Sequence, residues 1–193
     1  MSTDAFLPAD YTVPKGDSSY LKFKTGENKF RILSKPIIGW EDWKDGKPIR
    51  FTMDKKPSAP IDPKQDIKHF WAMVVWDYVA KKISILQITQ LGVQGSIKAL
   101  ASNEDWGDPF GYDITVTKTG STKADTKYTV VPSPPKPVHP KITELLAATP
   151  INLQALFTND DPFKAPSTPV SHRADGLPDE FDAVDEPESD IPF

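Results

Sequence analysis

The stretch His69-Phe-Trp-Ala-Met-Val-Val-Trp-Asp-Tyr78, with Val79-Ala-Lys-Lys82 and Ile83-Ser-Ile-Leu-Gln-Ile-Thr89 behind it, decides the fold. An apolar run rich in β-branched and aromatic residues meets a short break, and a second apolar run returns. That pattern predicts an antiparallel hairpin. Side chains alternate between faces along a strand, so Phe70, Trp76 and Tyr78 fall on one face and Trp71 on the other. This is more ring surface than one buried side needs, and the sequence predicts that part of it stays exposed.

Working outward, the period changes after Thr89. Over residues 90–103, Val93, Ile97 and Leu100 recur at three- and four-residue spacing and predict a short amphipathic helix. Tyr112, Ile114 and Val116 then alternate with Asp113, Thr115 and Thr117 as a half-buried strand. Residues 128–131 form a last strand, closed by Pro132 and the Pro134-Pro135 pair. Upstream, Tyr20, Phe23, Phe30, Ile32 and Leu33 fall in two extended pieces around the turn Thr25-Gly26-Glu27-Asn28. Lys22, Lys24, Lys29 and Arg31 alternate with them and are expected on an open face. Residues 36–51 read as strand, turn and strand around Asp45-Gly46. A loop rich in Pro and Lys follows over residues 53–67. Downstream, residues 141–148 and 151–157 read as two short helices broken at Pro150, with Ile142, Leu145, Leu146, Leu153 and Leu156 free to pack on the strands. Nothing beyond Asn159 is expected to be ordered.

Strands, a helix after the third main strand and two further strands make up the order of an OB-fold. This is a mainly β, five-stranded Greek-key barrel with a helix between strands 3 and 4. The expected organisation is a flexible leader over residues 1–19, the barrel with its C-terminal helices over 20–158, and a disordered acidic tail over 159–193.

Charge is unevenly distributed. The 193 residues carry a net charge of −4. Residues 174–193 hold eight Asp and Glu and no Lys or Arg, while residues 15–82 hold 15 Lys and Arg against 9 Asp and Glu. A basic body with an acidic arm suggests a polyanionic partner and a tethered competitor for it. Cysteine is absent, which removes disulfides, a thiol nucleophile and thiolate-ligated zinc. The start Met1-Ser-Thr-Asp-Ala5 lacks the pattern of a secretory leader, and no apolar run approaches a membrane span, so a soluble intracellular protein is expected. His69, His139 and His172 are far apart, and no phosphate loop, nucleophile elbow or metal-spaced cluster is present. The chain is expected to be no enzyme and to need neither cofactor nor metal.

Single-strand binding needs a basic groove for phosphates and flat rings on which bases stack. The sequence offers Trp40, Trp43, Phe70, Trp71, Trp76, Tyr78, Trp106 and Tyr112, interleaved with Lys44, Lys47, Arg50, Lys55, Lys56, Lys81 and Lys82. Lys123 lies in the polar loop 120–125, and loops 53–67 and 118–127 stand where OB-folds flank a ligand.

Two stretches carry a resemblance. The ending Asp190-Ile191-Pro192-Phe193, preceded by the acidic run, resembles the C-terminal tip of bacterial single-stranded-DNA-binding proteins. The segment Lys24-Thr-Gly-Glu-Asn-Lys-Phe-Arg-Ile-Leu-Ser-Lys-Pro-Ile-Ile-Gly-Trp40, with Trp106-Gly-Asp-Pro109 and Tyr112-Asp-Ile114, is similar to single-stranded-DNA-binding proteins of tailed bacteriophages over roughly residues 20–140. The resemblance implies an OB-fold that coats single-stranded DNA during phage replication, recombination and repair in the cytoplasm of the infected host. It also implies that Asp190, Ile191, Pro192 and Phe193 dock replication and recombination proteins. A homodimer is compatible with it, and the bacterial tetramer is not assumed. The physics of the tip agrees: Phe193 can fill an apolar pocket while its carboxylate and Asp190 pair with basic residues around it. The alternatives are a module for RNA or duplex DNA, or a protein-recruiting adaptor whose rings are all core.

Overall fold

A computed structural model describes residues 18–164. The leader to residue 17 and the segment 165–193, including the tip Asp190 to Phe193, lie outside the described residues.

The hairpin of the opening stretch is the centre of the molecule. Strands β1 (Tyr20–Leu21), β2 (Gly26–Ile32), β3 (Ile37–Lys44), β4 (Lys47–Thr52), β5 (Lys68–Asp77) and β6 (Lys82–Ile88) are followed by helix α1 (Leu91–Ala101). Strands β7 (Asp113–Thr119) and β8 (Lys127–Pro132) and helix α2 (Pro140–Ala148) complete the set. Together the strands make one mixed, eight-stranded sheet, ordered β1-β6-β5-β2-β7-β8, with β3 paired to β5 and β4 to β3. β5 is long enough to serve three neighbours. Its start pairs with β3 (Ile37 opposite Ala72), its end with β2 (Ile32 opposite Val75), and its length with β6.

Three elements depart from the expected barrel. The β3–β4 hairpin is an addition between β2 and β5, turning at Asp45 and Gly46, whose φ of 50° and 74° are what a tight two-residue hairpin turn requires. The sheet is not closed. The main strands run β6-β5-β2-β7-β8, with β7 returning to lie beside β2 in the order of a Greek key. Among the described residues no ladder joins β8 back to β6; the two-residue β1 lies parallel to β6 at that edge, Tyr20 opposite Ile85. Rings reach across the gap: Phe23, just after β1, meets Tyr128 of β8 with centroids 5.9 Å apart. Finally, residues 151–157 form a short 3-10 turn (Leu153–Phe157) rather than an α-helix.

Both faces of β5 are covered along most of its length, yet Trp71, Trp76 and the following Tyr78 keep part of their ring surface exposed, as expected, while Phe70 is fully buried. Its odd-numbered side chains Met73 and Val75 join Phe30, Ile32, Leu86, Ile88, Tyr112, Ile114 and Val116 in the main core, closed at one end by Val93 and Ile97 of α1. The even-numbered side carries Phe70, Ala72 and Val74. The chain after β8 returns over it, laying Ile142 and Leu146 of α2 and Leu153, Leu156 and Phe157 of the 3-10 turn on it. The chain also stays ordered past Asn159, contrary to expectation. The Asn152 amide donates to the Pro162 carbonyl at 2.8 Å, and Phe163 stands edge-on to Tyr20 at 6.4 Å.

The expected open basic face of β2 divides. Lys22 and Lys24 are exposed, but Arg31 is the largest fully buried side chain among the described residues, and its partner Asp113 has no exposed surface. A buried guanidinium must fill its donors. Arg31 does so with Asp113 Oδ1 at 3.0 Å, the Phe110 carbonyl at 2.9 Å and the Lys136 carbonyl at 2.5 Å.

The loop 53–67 is fastened down. Fully buried Asp42 accepts the Trp43 amide through Oδ1 and the Ile61 amide through Oδ2, both at 2.8 Å. Among the described residues no helix is long and apolar enough to cross a membrane.

Candidate nucleic-acid interface

The gap in the sheet becomes a groove. A concavity of about 620 Å³ lies between the chain just after β1, the tip half of the β3–β4 hairpin, the end of β6 and the paired residues Lys118 and Tyr128 of β7 and β8. Four rings stand along it: Tyr20, Phe23, Trp43 and Tyr128. Phe23 and Tyr128 each rest one side on the main core, so they are seated rather than loose. A seated, half-exposed ring is the arrangement on which a base can stack without first ordering the side chain.

The groove's charge is positive. Among the described residues, Lys22, Arg50 and Lys118 line it against one carboxylate, that of Glu41. Arg50 is held in place: it donates to Gln87 Oε1 at 2.7 and 3.0 Å and lies 3.4 Å from buried Glu41, which also accepts from Gln87. Glu41 therefore offsets Arg50. Lys22 and Lys118 have no described carboxylate partner, and they carry the surplus. Burial pushes the Tyr20 phenol above its ordinary value, Arg50 opposes this and Asp161 adds to it, so the ring stays neutral at the groove wall. A second concavity, of about 580 Å³, adjoins across Pro48 and Arg50 and carries Lys44 and Lys47 from the hairpin tip. Those two lysines face each other in the ladder, and the carboxylates of Asp45 and Asp160 line the same concavity and offset them.

Of the rings expected from sequence, the structure brings only Trp43 to this groove. Phe70 and Tyr112 must be corrected: both are fully buried and present no face to a base. Trp106 stands edge-on to Tyr112 at 5.5 Å and packs on the core. Trp76 packs beneath the returning C-terminal segment. Trp71 lines a separate apolar hollow beside Ile38, Ile97 and Phe110. Trp40 is half-buried, its Nε1 donating to the Met53 carbonyl at 3.3 Å and its ring capped by the Lys56 ammonium at 4.2 Å. Tyr78 donates its hydroxyl to Asp113 at 2.9 Å.

Of the expected cations, Arg50 lines the groove, and Lys44 and Lys47 lie in the adjoining concavity. Lys55 and Lys123 are exposed on their loops. Lys81 and Lys82 sit at the far end of the β5–β6 hairpin, since Lys82 opposes Asp77 while Gln87, five residues on, is the one at the groove.

Sequence reasoning missed Phe23, Tyr128, Lys22 and Lys118 as members of one site. A signal existed: Phe23 stands between Lys22 and Lys24, and Tyr128 follows Lys127. Their meeting depends on the gap between β1 and β8, which no local pattern reveals.

Among the described residues, no group of three or more His, Asp or Glu is placed to hold a metal ion. No family model matches the chain, and comparison with curated proteins and with solved structures also found no match.

Proposed function

We propose that this chain is a single-stranded-DNA-binding protein of OB type that holds the strand, without reading its sequence, in the groove at the sheet's gap. The single observation that carries the reading is the combination in that groove of four rings, two of them seated on the main core, with two lysines that have no described carboxylate partner. Rings and surplus positive charge are the two requirements of sequence-tolerant single-strand binding. The order β6-β5-β2-β7-β8 supports an OB-type barrel left open between its third and fifth main strands. The flanking positions of the β3–β4 hairpin and the β7–β8 loop match where such folds bind. The acidic ending would recruit replication and recombination proteins of a phage-infected cell and compete with DNA for the basic surface. It lies outside the described residues and rests on its sequence.

Titration of the full chain with oligo-dT tests the reading. Trp43 fluorescence is expected to quench, and log affinity to fall linearly with log salt. Competition with RNA and duplex DNA should leave the single-stranded DNA bound. Absence of quenching and of any retardation at low salt would refute the proposal, and preference for duplex would reassign the ligand.

A further inference from the structure

Away from the groove, three cations converge on one carboxylate. Asp113, with no exposed side-chain surface, lies 3.0 Å from Arg31, 3.3 Å from the Lys29 ammonium and 2.8 Å from the Lys136 ammonium. One negative charge offsets one of the three. The buried Arg31 and Asp113 cannot meet a ligand, so the surplus of two charges is presented by the lysines, whose side chains are 41% and 49% exposed. Both ammonium groups contact the same oxygen, Asp113 Oδ2, which holds them close together. They also flank the Tyr78 ring, 5.1 and 5.7 Å from its centroid, with the Trp76 ring edge-on beside it.

The geometry points to a phosphate-binding site on the outer face of β2 and β7, formed by the ammonium groups of Lys29 and Lys136 above the Arg31–Asp113 pair. An ammonium has three N–H donors, and the ion pair with Asp113 takes up at most one on each lysine. The remaining donors, on two neighbouring cations, suit tetrahedral oxyanions with several acceptor oxygens, and the local surplus of two matches one free phosphate dianion or two backbone phosphodiesters. A single carboxylate ligand would balance only half of it. The nearest described acid along the strand on this face is exposed Glu27, two residues from Lys29 and opposite Thr117 rather than Asp113.

The site is built rather than a loose surface pair. Arg31 and Asp113 are fixed by the β2–β7 ladder. Lys136 is fixed by its amide donating to the Gly111 carbonyl at 3.0 Å and by its carbonyl accepting from Arg31. It lies on the sheet face opposite the one that directs Lys118 into the groove, since Asp113 and Lys118 differ in strand parity. The inference therefore stands whether or not the groove holds DNA.

The phosphate can be free or part of a nucleic-acid backbone, and two measurements on the full chain separate these. In the first, wild type and the double variant Lys29→Gln/Lys136→Gln are melted with inorganic phosphate and pyrophosphate at constant ionic strength. In the second, oligo-dT affinity is measured against salt. Phosphate that raises the wild-type melting temperature, with at least a tenfold weaker response in the variant, supports a free-phosphate site. A salt slope shallower by about 1.4 in the variant supports two lost backbone contacts, at roughly 0.7 per phosphate for single strands. Should the double variant fold poorly, Lys136→Gln alone is expected to show half the slope change, and Lys136→Arg to restore it. Equal phosphate responses together with an unchanged slope overturn the site. If oligo-dT does not bind at all, the groove reading fails, while the phosphate melts still decide this one.

Discussion

Replacing Asp113 with Ala gives the account its most quantitative stability test. In the native protein Asp113 faces three cations and also accepts the Tyr78 hydroxyl at 2.9 Å. Lys29 and Lys136 are half-exposed, and water would replace their lost partner at little cost. Arg31 is only 1% exposed, and for it no water is at hand. Removing one partner of a buried ion pair costs about 3–5 kcal/mol because the other charge remains. Arg31 keeps two backbone carbonyl acceptors, at Phe110 and Lys136, so the lower end applies, roughly 3 kcal/mol. For a chain of this size that is a fall in melting temperature of roughly 6–12 °C.

The effect has a pH signature. Burial alone would raise the Asp113 carboxyl, but hydrogen bonds from Lys136, Tyr78 and Arg31 outweigh it and hold the group below the ordinary carboxylate value. A lowered folded value means the stabilisation is complete above the unfolded pKa, near 4, and fades as pH falls through the folded one. Urea melts of wild type and Asp113→Ala should therefore differ most at neutral pH and converge in acid. Replacing both charges, as Arg31→Met with Asp113→Leu, should cost less than Asp113→Ala alone. A loss below about 1 kcal/mol for Asp113→Ala, or a gap that widens in acid, would refute the reasoning.

Further outcomes follow from the same structure. Trp43→Ala and Tyr128→Ala should each weaken oligo-dT binding by about 1–3 kcal/mol, five- to 150-fold, while Lys81→Gln leaves it within twofold at moderate salt, as filter binding would show. Tyr78 is pushed up to about 12 by burial and its bond to Asp113, so stability present below pH 10 is lost as pH rises through 12; Tyr78→Phe should flatten that alkaline decline in pH-resolved melts. At Gly39 an added Cβ would run into the Phe51 carbonyl and the rings of Phe70 and Phe157, so Gly39→Ala should destabilise by about 1–3 kcal/mol or more in chemical melts. Asp42→Ala removes the acceptor of the Ile61 amide and should open the 53–67 loop to limited proteolysis while the sheet persists; an unchanged cleavage rate would show that other contacts hold it.

Much of the fold could be read because its signals are local. The alternation in β5, β6 and β7, the turn at Asp45-Gly46 and the three- and four-residue spacing of Val93, Ile97 and Leu100 each act within a few residues, and each forms where expected. What could not be read depends on contacts distant in sequence. Phe70 and Trp76 look like surplus rings until the chain after β8 returns to cover them with Leu156, Ile142 and Leu146. Asp113 alternates as an outward residue and does point outward. It is buried because Arg31, Tyr78 and Lys136 converge there from three other segments. The groove suffered likewise: Phe23 and Tyr128 are 105 positions apart and meet only because β1 stands where the barrel would close.

The most direct test of the central claim is to locate the bound strand. Full-length protein irradiated with bromodeoxyuridine-substituted single-stranded DNA, then digested and sequenced by mass spectrometry, should yield adducts at Trp43, Tyr128 or Phe23, suppressed by competing oligo-dT. Adducts confined to Trp71 in its apolar hollow or to Trp106, or adducts that competitor does not suppress, would contradict the groove as the binding site.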